Sequence, residues 1–171
     1  MNTWLKKNRA TPLIRPSSQA GAAAVELAVV AVVLLLIVAG TIGFGRTFWY
    51  ADALTKATRD GARLLSNWEV ADISAGVDAA RAQVITVAAA ANVAPALVDA
   101  NVEVECDNSP PSDPTFSFGA CSPGTTPANV RVSITGFNVT LGEWFPFIGT
   151  GGVLNYGSIG LSPHTTMRYM N

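Results

Sequence analysis

Between Arg15 and Arg46 the chain carries one charged side chain, Glu26, and residues 27–45 carry none. The densest part of this run is Val29-Val30-Ala31-Val32-Val33-Leu34-Leu35-Leu36-Ile37-Val38. Read as a helix from about Ala22 to Gly45, it would reach roughly 36 Å at ~1.5 Å per residue. A bilayer core is about 30 Å thick, so such a helix is long enough to cross it with some tilt. A cleavable secretory signal is the competing reading, because Gly43 and Gly45 are small enough for a cleavage site. The apolar run is longer than the ~7–15 residues of a signal-peptide core, which favours an anchor that stays attached.

Charge is distributed unevenly around this segment. Residues 1–21 contain Lys6, Lys7, Arg9 and Arg15 and no acid, a charge of +4, whereas the rest carries 7 basic and 12 acidic residues. Basic residues just before a span place that end in the cytoplasm, and everything after Phe44 on the other side. Arg46, Trp49 and Tyr50 then suit the outer interface. The acidic remainder excludes a chain-wide basic patch for nucleic acid.

Apolar residues recur at steps of three and four beyond the span. Phe48, Ala51, Leu54, Thr58, Ala62 and Leu65 predict that the helix continues to about Ser66, with a break near Gly43–Gly45 as the alternative. Asp52, Lys56, Asp60 and Arg63 have the spacing of helical ion pairs. Residues 67–75 read as a connector. A second amphipathic helix follows over about 75–92, with Val77, Ala80, Val84, Val87 and Ala91 on its apolar face, and Pro95 closes the segment. Its partner is expected to be the outer half of the first helix.

After Pro95 the period changes to two. Ala100, Val102, Val104 and Cys106 alternate with Asp99, Asn101, Glu103 and Glu105, which predicts a half-buried strand. A second strand is predicted over 128–139, with a bulge or bend at Gly136 where the apolar parity switches to Phe137 and Val139. A third is predicted over about 164–170. Cys106 and Cys121 flank a segment rich in Ser, Pro and Asp that cannot form regular structure. Two cysteines on the outer side of a membrane read as a disulfide, worth roughly 3 kcal/mol for a loop of ~15 residues. The fold class is therefore α+β, with a long membrane helix, a second amphipathic helix, and a small antiparallel sheet carrying a disulfide-closed loop.

The chain contains no zinc motif, no glycine-rich phosphate loop and no nucleophile elbow, and its single histidine, His164, follows Ser162-Pro163. The sequence therefore points to no enzyme, catalytic residue, metal, cofactor or small-molecule substrate. Asn138-Val139-Thr140 matches a glycosylation triplet that is common by chance. Trp144-Phe145-Pro146-Phe147-Ile148 reads as core, with an exposed docking patch as the alternative.

Gly21, then an apolar helix with Glu26 five residues later, resembles the processing site of type IV pilin-like proteins. Residues 21–66 resemble the TadE-like proteins of the tight-adherence (Flp) pilus system. The likeness rests on Ala23-Ala24-Val25-Glu26, the apolar span, Phe44-Gly45-Arg46, Ala53-Leu54-Thr55-Lys56-Ala57 and Arg59-Asp60-Gly61-Ala62-Arg63. It is weaker downstream, through the two cysteines and Thr166-Met167-Arg168. The family often has an aromatic residue after the glutamate, where this chain has Leu27.

The resemblance implies a minor pseudopilin, cut between Gly21 and Ala22 by a prepilin peptidase, that assists assembly of a pilus used in adhesion. Its implied partners are the bilayer, the peptidase, other pilus subunits and assembly-platform proteins, in the bacterial cytoplasmic membrane. Four regions follow: a basic leader at 1–21, a span at 22–45, a helical region at 46–93 and a β-rich region at 94–171. The alternative is an uncleaved single-pass anchor whose outer domain binds a partner.

Overall fold

In the computed structural model, residues 19–109, 115–140 and 157–170 are described. The leader charges, the proline-rich centre of the disulfide loop and the Trp144 to Ile148 stretch lie outside these residues. Two compact units divide between Val38 and Ala39.

Helix α1, Gln19–Ser66, runs through Gly40, Gly43, Gly45 and Gly61 without a break in secondary structure. In the first unit its side chains point outward all round: Leu27 is 70% and Ile37 61% exposed. A helix apolar on every side is satisfied in lipid or inside other protein, not in water. By length and composition it is one that can cross a membrane.

In the second unit the remainder of α1 joins α2, Ile73–Ala90, and six strands. The strands are β1 Val102–Asp107, β2 Phe118–Gly119, β3 Asn129–Ile134, β4 Phe137–Thr140, β5 Ser158–Leu161 and β6 His164–Arg168. The main antiparallel sheet has the order β2-β1-β3-β6, and β4 pairs with β5 in a two-stranded sheet. Val104 opposes Val132, and Val132 opposes Thr165. This register places the buried Val102, Val104, Cys106, Val130, Val132 and Ile134 on one face. That face packs with Leu54, Ala57, Leu65, Ile73 and Val84 in one core.

The helices meet through small residues. A Cβ on Gly61 would lie 2.7 Å from Val84 Cγ2 and 3.1 Å from the Ala80 carbonyl oxygen. A Cβ on Gly76 would similarly lie 2.6 Å from Trp68 Cγ. The buried row on α2 is Gly76, Ala80, Val84 and Ala88. This is one position away from much of the expected face, since Val77, Val87 and Ala91 are only half-buried. Val84 fits in this row because it faces Gly61, which has no side chain, while Val77 and Val87 lie on the flanks.

On α1, Leu54, Thr58, Ala62 and Leu65 are buried as expected, whereas Phe48 is 61% exposed and Tyr50 only 3%. Tyr50 therefore turns into the core, not toward an outer interface. Lys56 closes on Asp52 at 2.6 Å, one of the ion pairs the spacing predicts.

β1 begins at Val102, because residues 99–101 form a 3-10 turn and Ala100 is exposed. At Gly136, with φ +67°, the chain leaves the main sheet and starts β4. The parity change marks a strand that switches sheets, with Phe137 and Val139 still buried.

Candidate functional site

Gly21, Ala22 and Glu26 occupy the first turns of α1, and all three are exposed. A Cβ at Gly21 would meet nothing within 4 Å. Glycine inside a helix costs about 1 kcal/mol relative to alanine. Packing among the described residues does not require one there, in contrast to Gly61 and Gly76. Glu26 presents a carboxylate on a helix whose neighbouring side chains, Val25 at 65% and Leu27 at 70% exposure, are apolar and open. One helix face thus offers a lone anion within a surface suited to lipid or to other apolar helices.

At the start of the second unit, Phe44 and Phe48 meet edge-on with centroids 4.7 Å apart. Arg46 Nε donates to Tyr50 Oη at 2.5 Å, and its guanidinium lies 5.2 Å from the Tyr50 ring centroid. Trp49 Nε1 donates to the Ala91 carbonyl at 3.2 Å, joining α1 to the end of α2.

Cys106 and Cys121 form a disulfide with their Cα atoms 4.9 Å apart. Beside it, Asp107 is 2% exposed. Its carboxylate accepts from Asn129 Nδ2 at 2.9 Å, from Ser109 N at 3.1 Å and from Ser117 N at 3.2 Å. The Asn129 bond, helped by those from Ser109 and Ser117 against the opposing effect of burial, holds this carboxyl below its ordinary pKa. On the other side of β1, Glu105 pairs with Arg131, which also lies 4.1 Å from the Phe118 ring centroid. The disulfide and Asp107 thus pin both ends of the loop to the sheet.

Sequence reasoning singled out the cysteines and missed Asp107. The available signal was Asp-Asn-Ser after a strand, in which the Asp side chain bonds the backbone two residues on. His164 begins β6 as an exposed strand residue. The described residues contain no group of three or more His, Cys, Asp or Glu side chains that could hold a metal ion.

The structure defines an α+β head on a helix that can cross a membrane, and one N-terminal helix of this kind is consistent with a single-pass membrane protein. Residues 21–63 match the family of TadE-like proteins. The matched segment contains Gly21, Glu26, the apolar run and Gly61, and the likeness suggests a protein associated with Tad/Flp pili. No curated protein matches the chain. No solved structure matches it either.

Proposed function

We propose that the protein is a minor pilin-like subunit, cleaved between Gly21 and Ala22 by a prepilin peptidase, that assists assembly of a tight-adherence (Flp) pilus used in surface adhesion. The observation that carries this reading is the pairing of Gly21, a helical glycine without a packing role among the described residues, with Glu26 five residues on. Cleavage removes all four leader charges and leaves a new amine on Ala22. Apolar helices can then associate without a basic cap. Glu26 pairs with the Ala22 amine of a neighbouring subunit, so that each charge is neutralised in a low-dielectric setting. In this reading residues 46–93 and 94–171 form the extracytoplasmic head, and residues 22–45 form the span in the cytoplasmic membrane. Other pilus subunits and the assembly platform are its partners.

N-terminal sequencing of the mature protein from membranes tests the reading. The expected first residue is Ala22. Met1 would identify an uncleaved anchor instead. Gly21→Arg is expected to keep the full-length precursor in the membrane, and a shortened product from that variant would count against processing at this bond.

A further inference from the structure

The end of the head nearest to where α1 leaves its apolar run presents apolar side chains on two elements, with Arg46, half-buried against Tyr50, as the charge among them on α1. On α1, Phe44 is 61%, Phe48 61% and Trp49 59% exposed. The Trp49 Nε1 bond to the Ala91 carbonyl, 3.2 Å, brings the C-terminal end of α2 to the same level. With Ala91 beside Trp49, and Ala80 and Val84 beside Gly61, helix α2 runs back toward the exit. Residues 82–98 carry no charged side chain. In the last part of that stretch Ala89, Ala90, Pro95 and Ala96 are exposed, and Val98 is 56% exposed. Apart from Arg46, whose long side chain can reach the headgroups, charge returns farther from this end, with Asp52 and Lys56 on α1 and Asp78 and Arg81 on α2.

We propose that this end of the head, Phe44, Phe48 and Trp49 together with residues 89–98, seats in the headgroup–acyl boundary of the leaflet from which α1 emerges. The inference rests on α1 crossing the bilayer. The occupant follows from chain continuity: Trp49 lies four residues after Gly45, about 6 Å along a helix. A surface held at that height is in the interfacial zone, where Trp and other aromatic rings are favoured and an arginine such as Arg46 can reach the headgroups. Uncharged, small-residue backbone turns at this depth can rest among headgroups, with their polar groups still hydrated. The head is thereby held against the membrane, and α2 stands as a second leg beside α1.

Depth-dependent fluorescence quenching tests the proposal on the full chain in phosphatidylcholine vesicles. Single cysteines are introduced by Ala90→Cys, Ala96→Cys, Val32→Cys and Thr126→Cys, and each is labelled with an environment-sensitive fluorophore without reductant. The native cysteines are joined and take no label. Thr126 is an exposed control near the other end of α2, where Gly124 N donates to the Val70 carbonyl at 3.2 Å. The expected result is quenching of the labels at 90 and 96 by lipids carrying a nitroxide near the headgroup, at least about twice that at 126, as for groups ~5–10 Å deep. The label at 32 should be quenched by nitroxides near the acyl-chain ends. Quenching at 32 without quenching at 90 and 96 would overturn the proposal while leaving the span in place. Absence of quenching at 32 would overturn both. Labels at 90 and 96 that are shielded in proportion to protein density, and not quenched by either lipid, would assign the surface to a second copy and overturn the lipid seat.

Discussion

Gly61 and Val84 form the point where the two helices of the head meet, because a Cβ on Gly61 would fall 2.7 Å from Val84 Cγ2. The Ala80 carbonyl oxygen, 3.1 Å from the same position, closes the other side, so rotating Val84 alone does not make room. Gly61→Val is expected to destabilise the head by about 1–3 kcal/mol through overpacking. Gly61→Ala should cost less, since alanine recovers about 1 kcal/mol of helix propensity. Adding Val84→Ala to Gly61→Ala should restore part of the loss, which thermal unfolding of the double and single variants would show as non-additivity.

Asp107 links loop and sheet through its bonds to Ser109, Ser117 and Asn129. Its folded-state pKa is lowered, chiefly by the Asn129 bond. The sign follows directly: the contribution is present above the unfolded-state pKa, about 3.9, and is lost as pH falls through the lower folded value. Stability measured against pH should therefore show an acid limb below about pH 4. Asp107→Asn should flatten that limb while lowering stability near neutrality, because an amide replaces one acceptor oxygen with a donor facing N–H groups.

Breaking the Cys106–Cys121 disulfide with Cys121→Ser is expected to cost about 3 kcal/mol for a loop of this length. Protease sensitivity should rise first within the segment between the two cysteines. Alkylation of native membranes followed by mass spectrometry should find neither thiol free until reductant is added.

Tyr169 is buried and donates its hydroxyl hydrogen bond to the Trp68 carbonyl. Burial, with the Glu69 charge adding to it, raises the phenol pKa. This contribution is complete below the unfolded-state value of about 10 and fades as pH rises above it. Tyr169→Phe should remove that alkaline dependence and cost about 0.5–1.5 kcal/mol, read from denaturant melts at neutral pH.

Glu26 separates pairing from simple tolerance of a charge near a membrane surface. If it neutralises a neighbour's Ala22 amine, Glu26→Gln should reduce recovery of pilus components from detergent-solubilised membranes, and Glu26→Asp should do so partially. Loss of one partner of a buried pair costs about 3–5 kcal/mol. The N-terminal mass must be recorded alongside, since cleavage and assembly can fail separately. Normal cleavage with normal partner recovery in Glu26→Gln would remove the pairing role.

Much of this architecture was legible where one physical requirement dominates the residue pattern. The uncharged run before Arg46, the alternation of Val102, Val104 and Cys106, and the parity change at Gly136 each reflect a single face or solvent. The buried stripes were harder to place. Ala and Gly have little hydrophobic weight, so Gly76 and Ala88 gave way in the reading to Val77 and Val87, although close helix approach selects the small residues. Phe48 reads inward by its spacing and Tyr50 outward by its place just after the span, because neither cue tells a core from an apolar environment outside the chain. The short strands β2 and β5 carry too few residues to show a period. They exist because β1 and β4 offer them edges. Gly21, Glu26 and the cysteines were visible as residue types in a setting. Asp107, Thr58 and Thr165 were not, because their bonds join distant parts of the chain, as with the 3.0 Å contact between the two threonine hydroxyls.

The clasp at the far end of α1 has a consequence for the order of folding. Met170 N donates to the Ser66 carbonyl at 2.9 Å, and β6 lies beside β3 in the main sheet. Synthesis therefore delivers α1 about a hundred residues before the strand that closes over its end. Early in that interval Leu54, Ala57 and Leu65 have no sheet to cover them, and after β1 and β3 are made the sheet still lacks its β6 edge. Contacts between such distant segments form late and slowly. The nascent head must pass through an open form whose helical face is apolar and whose β3 edge is unpaired, so the period before β6 arrives is when the protein is most exposed to capture by other chains.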